Sequence, residues 1–170
     1  SAKHGVGTSL SSNSRVWFTV SHGIINEVYY PRIDQSCLRD MELLVSDGNS
    51  FFSEEKRHTQ SVINSLAEGV PAFQLKNTCN GGRYRIHKIV LIDPQRDVLL
   101  QNIRFEPLQG KLQDYKLYIL LAPHLGNRGA GNTAWIDDYK GVPVLNAQRG
   151  EITISLACSS PWLKRSVGFV

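Results

Sequence analysis

The sequence predicts an all-β, antiparallel sandwich, and three observations carry the prediction. Runs rich in β-branched and aromatic residues recur about every ten positions, turn signals separate them, and helical signals are nearly absent. Short strands without helical crossovers pair antiparallel, and their apolar faces are buried when two sheets stack.

The elements follow in order. "RVWFTV" at 15–20 and "IINEVYY" at 24–30 read as strands split by "SHG". "MELLVSDGNSFFSEE" reads as two strands around Asp47-Gly48, a dipeptide that tolerates the positive φ angles of a tight hairpin turn. "AFQLKNT" and "GRYRIHKIVLID" flank the turn "CNGG". In "VLLQNIRFEP", Leu99, Gln101, Ile103 and Phe105 fall on one face, with Leu100, Asn102 and Arg104 on the other. In "DYKLYILLAP", Tyr115, Leu117, Ile119 and Leu121 share a face, and the apolar far end predicts a central strand covered on both sides. "TAWIDDYKGVPVLNA" reads as a hairpin around Lys140-Gly141, and "EITISLAC" as a strand burying Ile152, Ile154 and Leu156.

One stretch is ambiguous. In "HTQSVINSLAEGV" at 58–70, Val62, Leu66 and Val70 recur at helical spacing, but alternation fits almost as well. The surrounding strands decide for a strand. The final "PWLKRSVGFV" is a strand-like run without a turn or polar tail. Such an end exposes an unpaired edge, which predicts a truncated domain, a piece of something longer.

Composition bounds the function. With 170 residues, 41% hydrophobic and 20% charged, the chain is ordinary globular material for one domain, residues 1–170. No apolar run approaches the roughly 20 residues of a membrane span, and "SAKHGVGTSLSSNS" lacks the apolar centre of a secretory signal. The 19 Lys and Arg behind the net charge of +4 are dispersed, so neither nucleic acid nor membrane is expected as a partner. Cys37, Cys79 and Cys158 show neither C-x-x-C nor zinc spacing. Three reduced thiols lean towards a reducing compartment such as the cytoplasm, with one disulfide and one spare thiol as the alternative. His4, His22, His58, His87 and His124 have no metal-ligand spacing. No metal or cofactor is expected, and calcium in a longer parent stays open.

Candidate chemistry concentrates in "HGIINEVYYPRIDQ" at 22–35. Glycoside hydrolysis uses two carboxylates facing one another. Glu27, Asp34, Asp40, Asp137 and Asp138 supply the residue type, but Arg32 and Arg39 adjoin Asp34 and Asp40, which reads as structural ion pairing. "HLGNRGAGNTAW" at 124–135 is glycine-rich without the G-x-x-x-x-G-K-[ST] pattern, so it is an irregular loop rather than a phosphate cradle. No serine sits in a G-x-S-x-G elbow. The aromatics Trp17, Tyr29, Tyr30, Trp135, Tyr139 and Trp162 suit either a sandwich core or a sugar-stacking surface. Tyr29 and Tyr30, adjacent in a strand, point to opposite faces, leaving one free for a ligand or another domain.

"SHGIINEVYYPRIDQSCLRDMELLVSDGNSFFSEEKR" resembles the N-terminal region of bacterial glucoamylases and glucodextranases, glycoside hydrolase family 15. "DYKLYILLAPHLGNRGAGNTAWIDDYKG" and "ACSSPWLKRSVGF" resemble the same region further on, in one collinear order. The resemblance implies an antiparallel super-β-sandwich of the glucodextranase N-terminal type. It also implies a parent in which a following (α/α)6 barrel carries the catalytic glutamates and releases glucose from α-glucans by an exo-acting, inverting reaction. Under that resemblance the chain itself holds no catalytic residue, and its partner is the missing barrel of the same polypeptide. Pro31 ends the strand and turns the chain. Tyr29, Tyr30, Arg32, Asp34 and Trp135 are then the candidates for the barrel interface or a substrate-proximal surface. The rival reading is a carbohydrate-binding module that holds an α-glucan oligosaccharide on exposed aromatics. Open strand edges also predict a homodimer by strand addition.

Overall fold

The computed structural model describes residues 3–168, and these form three antiparallel sheets. The first runs β1 (Gly5–Thr8), β2 (Trp17–Ser21), β3 (Ile24–Tyr29), β4 (Ser36–Ser46) and, out of sequence order, β10 (Lys116–Pro123). The short β5 (Phe52–Glu54) also pairs with β4. The second is a meander of β6 (Thr59–Ser65), β7 (Phe73–Cys79), β8 (Tyr84–Ile92) and β9 (Leu99–Pro107). The third joins β11 (Thr133–Tyr139), β12 (Val142–Arg149) and β13 (Ile152–Leu156).

The first two sheets make the sandwich. Phe18, Val20, Ile25, Leu38 and Met41 of the first sheet pack against Leu75, Val90 and Ile92 of the second. Leu43 and Val45 meet Cys79, Tyr84 and Ile86 further along the same interface. The strict alternation of β8, buried at every second residue from Tyr84 to Ile92, is the period-2 pattern of a strand with one face in the core. The third sheet closes one end: Ala134, Ala147, Ile152 and Ile154 pack with Leu125, Cys37 and Tyr30.

Most expected strands stand where the alternation put them. The ambiguous stretch is the strand β6, but where alternation would align Val62, Asn64 and Leu66 on the inner face, Thr59, Ser61 and Ile63 turn inward and Val62 is exposed. The Lys140-Gly141 hairpin has positive φ at both positions, 54° and 81°, as a two-residue primed turn requires.

Four expectations are corrected. "DYKLYILLAP" is not a doubly covered central strand. Among the described residues β10 pairs only with β4 and lies at the end of the sheet's strand order, with Leu117, Tyr118 and Leu120 exposed. The turn at Asp47-Gly48 is wider than a two-residue hairpin, because the Asp47 carboxylate accepts the Asn49 and Phe51 backbone N–H groups and organises a loop over 47–51. Tyr30 lies just past the end of β3 rather than within it. No strand forms among the described residues after Leu156, so "PWLKRSVG" is irregular; Phe169 and Val170 of that run lie outside the described residues.

Besides short 3-10 turns at Leu112–Asp114 and Leu125–Asn127, two elements had no sequence expectation. β1 is glycine-bearing for a reason: a Cβ on Gly5 would lie 2.4 Å from the Phe73 ring, and one on Gly7 2.2 Å from the Phe18 ring. Its glycines let the backbone lie directly on the core aromatics. The other is a single helical turn, α1 (Glu55–His58), whose Glu55 is wholly buried.

Candidate interface site

The segment after β3 folds into a compact turn held from three sides. The Tyr30–Pro31 peptide is cis. Tyr30 N–H donates to Gln35 O at 3.0 Å and Gln35 N–H to Arg32 O at 3.0 Å, closing the turn on itself. The Cys37 thiol donates to Tyr30 O at 3.2 Å. From the 124–132 loop, the Asn127 amide brackets the turn: its Oδ1 accepts the Ser36 N–H at 2.8 Å and its Nδ2 donates to Asp34 O at 2.7 Å.

At the turn's tip Arg32 and Asp34 form a bidentate pair, 3.0 and 2.8 Å, in which both side chains remain well exposed, 70% and 59%. A fork-to-carboxylate pair fixes the guanidinium plane, so the tip presents an ordered pair of opposite charges. In solvent it contributes little to stability by itself.

Tyr30 is anchored rather than free. Its ring packs on both the main core and the cluster that seats the third sheet. The Arg15 guanidinium lies 4.8 Å from the ring centroid and also donates to the Tyr30 hydroxyl. Arg15 is held in turn by Asp97, which accepts its backbone N–H at 2.7 Å and its guanidinium at 2.8 Å. Burial pushes the Asp97 carboxyl upward, but these Arg15 hydrogen bonds outweigh it and hold the group below its ordinary range.

Tyr29 goes elsewhere. Its hydroxyl donates to Glu27 at 2.5 Å and accepts from Lys3 at 2.7 Å, and Lys3 also pairs with Glu27. Trp135 does not join Tyr30 either: its neighbour Ala134 packs on the Cys37–Leu125–Ala147 cluster that Tyr30 also covers, so the indole projects from the opposite face of β11, half-buried. The structure therefore assembles Tyr30, Arg32 and Asp34 and sets Tyr29 and Trp135 apart. A more exposed aromatic is Tyr139, 64% exposed beside Lys140.

The other carboxylates are engaged. Glu27 pairs with Lys3, and Asp40 pairs with Lys56 at 2.6 Å rather than with Arg39. Asp138 accepts the Gly141 N–H at 2.7 Å and Asp137 the Asp138 N–H at 2.8 Å, so both shape their hairpin. All three cysteines are free thiols. Sequence reasoning missed Arg15, Asp97 and Asn127, which hold the turn from segments far away in sequence. Only Asn127 carried a local signal, following a glycine in "LGN" and standing at φ 64°.

The whole chain, residues 1–170, matches the family model described as "Glucodextranase, domain N". The chain belongs to that family. This domain N chain is 36% identical over 167 residues to a glucoamylase of Clostridium sp. (strain G0005), a match covering 98% of the chain and 24% of the relative. Its fold superposes on the crystal structure of a bacterial glucoamylase complexed with acarbose at a TM-score of 0.90, with 36% identity over 92% of this chain and 23% of that one. The antiparallel sandwich inferred from strand patterning is thus shown at the level of the fold. The domain N chain spans about a quarter of the length of the relatives it matches.

Proposed function

We propose that this chain is the non-catalytic N-terminal β-sandwich of a glucoamylase-type glycoside hydrolase, supporting and orienting a separate catalytic barrel in the same polypeptide. The parent's reaction, on this reading, is exo-hydrolysis of α-glucans such as starch, maltodextrin or dextran with release of glucose. The observation that carries the reading is one of proportion. The chain matches a glucoamylase almost end to end in its own length but fills only 24% of the relative. The state of its carboxylates agrees, since Glu27, Asp34 and Asp40 are each committed to a cation.

Within that reading the Arg32–Asp34 tip, held by Tyr30 and Asn127, is the surface that meets the barrel. A charged, oriented pair at an otherwise rigid turn offers hydrogen bonds to a neighbouring domain without a large apolar patch, as interfaces between domains of one chain tend to do.

The experiment has two arms. The isolated chain is incubated with maltodextrin and free glucose is measured; release above blank overturns the non-catalytic assignment. In the full-length polypeptide, the Arg32→Ala/Asp34→Ala double variant is compared with the parent in kcat/KM and in thermal unfolding. A drop in either supports the interface, and parent-like values in both remove it.

A further inference from the structure

A second site lies away from the Tyr30 turn. A cavity of ≈ 260 Å³ opens where the segment just before β1, the β2–β3 turn, α1 and β6 meet, lined by His4, His22, Lys56, Thr59, Ser61 and Ile63. Its walls come from four separate elements, and a continuous run of hydrogen bonds sets the polarity of two of them.

The run starts at His22. The Ser21 hydroxyl has one hydrogen and donates it to Asn26 Oδ1, so towards His22 Nδ1, 3.0 Å away, it acts as acceptor. His22 Nδ1 is therefore the donor in that bond, which in the neutral ring leaves Nε2 as an acceptor. Asn26 Nδ2 donates onward to Asp40 Oδ1 at 3.2 Å, and Asp40 Oδ2 accepts from Lys56 Nζ at 2.6 Å. Both ends of the run, His22 and Lys56, line the cavity. The Lys56 ammonium uses one of three N–H groups on Asp40 and has others to give.

The serine of the wall is backed by close packing. A Cβ built on Gly23 would lie 2.4 Å from Ser61 Oγ and 2.0 Å from the Oδ1 of the fully buried Asn77, so both atoms lie against the glycine backbone and leave no room for a further atom behind the cavity wall.

The lining also narrows the class of ligand. The Lys56 charge is already matched by Asp40, and Glu42 Oε2 accepts the Lys56 backbone N–H at 2.9 Å, so the cavity carries no surplus positive charge for an anion. The six lining residues include no carboxylate for a cation. What remains is an imidazole acceptor, an ammonium donor, a serine hydroxyl and the apolar face of Ile63. We propose that this cavity binds a neutral polyhydroxylated ligand of monosaccharide size, its hydroxyls on His22 Nε2, Lys56 Nζ and Ser61 Oγ and its C–H face on Ile63. The site is independent of the supporting role proposed above, which neither requires nor predicts it.

The test follows the ring C–H signals of the five histidines by NMR while the chain is titrated with D-glucose, then maltose, then inorganic phosphate. Saturable shifts of His4 and His22 with either sugar, at a Kd on the order of 1 mM, are expected, with His87 and His124 unmoved and no response to phosphate. Ser61→Tyr fills the cavity and weakens binding at least about tenfold, a loss of roughly 1.4 kcal/mol. Lys56→Met repeats the test with a smaller change should Ser61→Tyr fail to fold. Absent shifts, equal shifts in both variants, or a response to phosphate alone would each overturn the proposal.

Discussion

Glu55 and Lys88 form an ion pair at 2.5 Å with both side chains essentially out of solvent, 0% and 1% exposed. The pair bridges the sandwich. Glu55 comes from α1 at the edge of the first sheet, and Lys88 from β8 in the second. The remaining lone pairs of Glu55 are satisfied by Leu43 N–H at 2.8 Å and Asn77 Nδ2 at 2.6 Å, and Asn77 also donates to Gly23 O at 2.8 Å. Removing one partner leaves a buried charge uncompensated, which costs far more than the pair contributes relative to an apolar replacement. Lys88→Met is therefore expected to destabilise the domain by about 3–5 kcal/mol. Urea denaturation checks it, and a change below about 1 kcal/mol would show that the pair is not truly desolvated.

Glu42 gives a pH dependence. It is buried, 5% exposed, and its carboxyl is raised above the ordinary 4.5 by burial first of all; the Lys56 N–H opposes the shift, and the carboxylates of Glu54, Glu55 and Asp40 add to it. An acid whose pKa is higher folded than unfolded contributes stability below its unfolded pKa and loses it as pH rises through the folded value. Glu42→Gln keeps an acceptor for Lys56 N–H and removes the titration. The variant is expected to be more stable than the parent at pH 7, with the difference shrinking as pH falls through the raised folded value and gone below the ordinary 4.5. Denaturation midpoints at the two ends of that range decide it, and a variant less stable at pH 7 would contradict it.

Gly23 should tolerate no side chain. Its φ is +74°, and a Cβ would meet Asn77 Oδ1 and Ser61 Oγ at distances no packed atoms adopt. Gly23→Ala is expected to cost more than about 1 kcal/mol, since both backbone strain and a clash with the buried network act against it. Thermal unfolding is the check, and an unchanged midpoint would mean that Asn77 can swing aside.

How much of this was legible in the sequence divides along physical lines. Strands with one buried face, such as β8 and β13, write their position into a period of two. β10 misled because an apolar run says nothing about whether anything covers it: its outer side carries exposed Tyr118 and Leu120, and its strand order places it at an edge. β1 was silent because glycines chosen for close approach to Phe18 and Phe73 have no strand signature. The buried Glu55–Lys88 pair was invisible for a related reason. Charged residues are usually solvated, and only the fold shows that these two are not.

The β10 edge carries a prediction of its own. Backbone groups on that side have no strand partner among the described residues, and Leu117, Tyr118 and Leu120 are 41%, 49% and 47% exposed. An apolar, unpaired edge templates further pairing. The isolated chain is expected to self-associate at high concentration, and Leu120→Lys to reduce that association. Light scattering reads it directly. A clean monomer at high concentration would remove strand addition from the account.

The last prediction returns to the candidate interface. Asn127 ties the Arg32–Asp34 turn to the strand that follows it, accepting from Ser36 N–H and donating to Asp34 O. Both bonds need an amide, with an acceptor and a donor on one planar group. Asn127→Asp keeps the acceptor but sets a second oxygen against the Asp34 carbonyl, so it should be at least as harmful as Asn127→Ala. Asn127→Gly suits the φ of 64° but loses both bonds. All three variants are expected to lose about 1–2 kcal/mol, with glycine the mildest because it relieves backbone strain. In the full-length polypeptide they should also lower kcat/KM to the same extent as Arg32→Ala/Asp34→Ala, because a loosened turn no longer presents the charged pair in one orientation. Matched stability losses with unchanged kinetics would show that Asn127 serves the fold alone and that the turn does not meet the barrel.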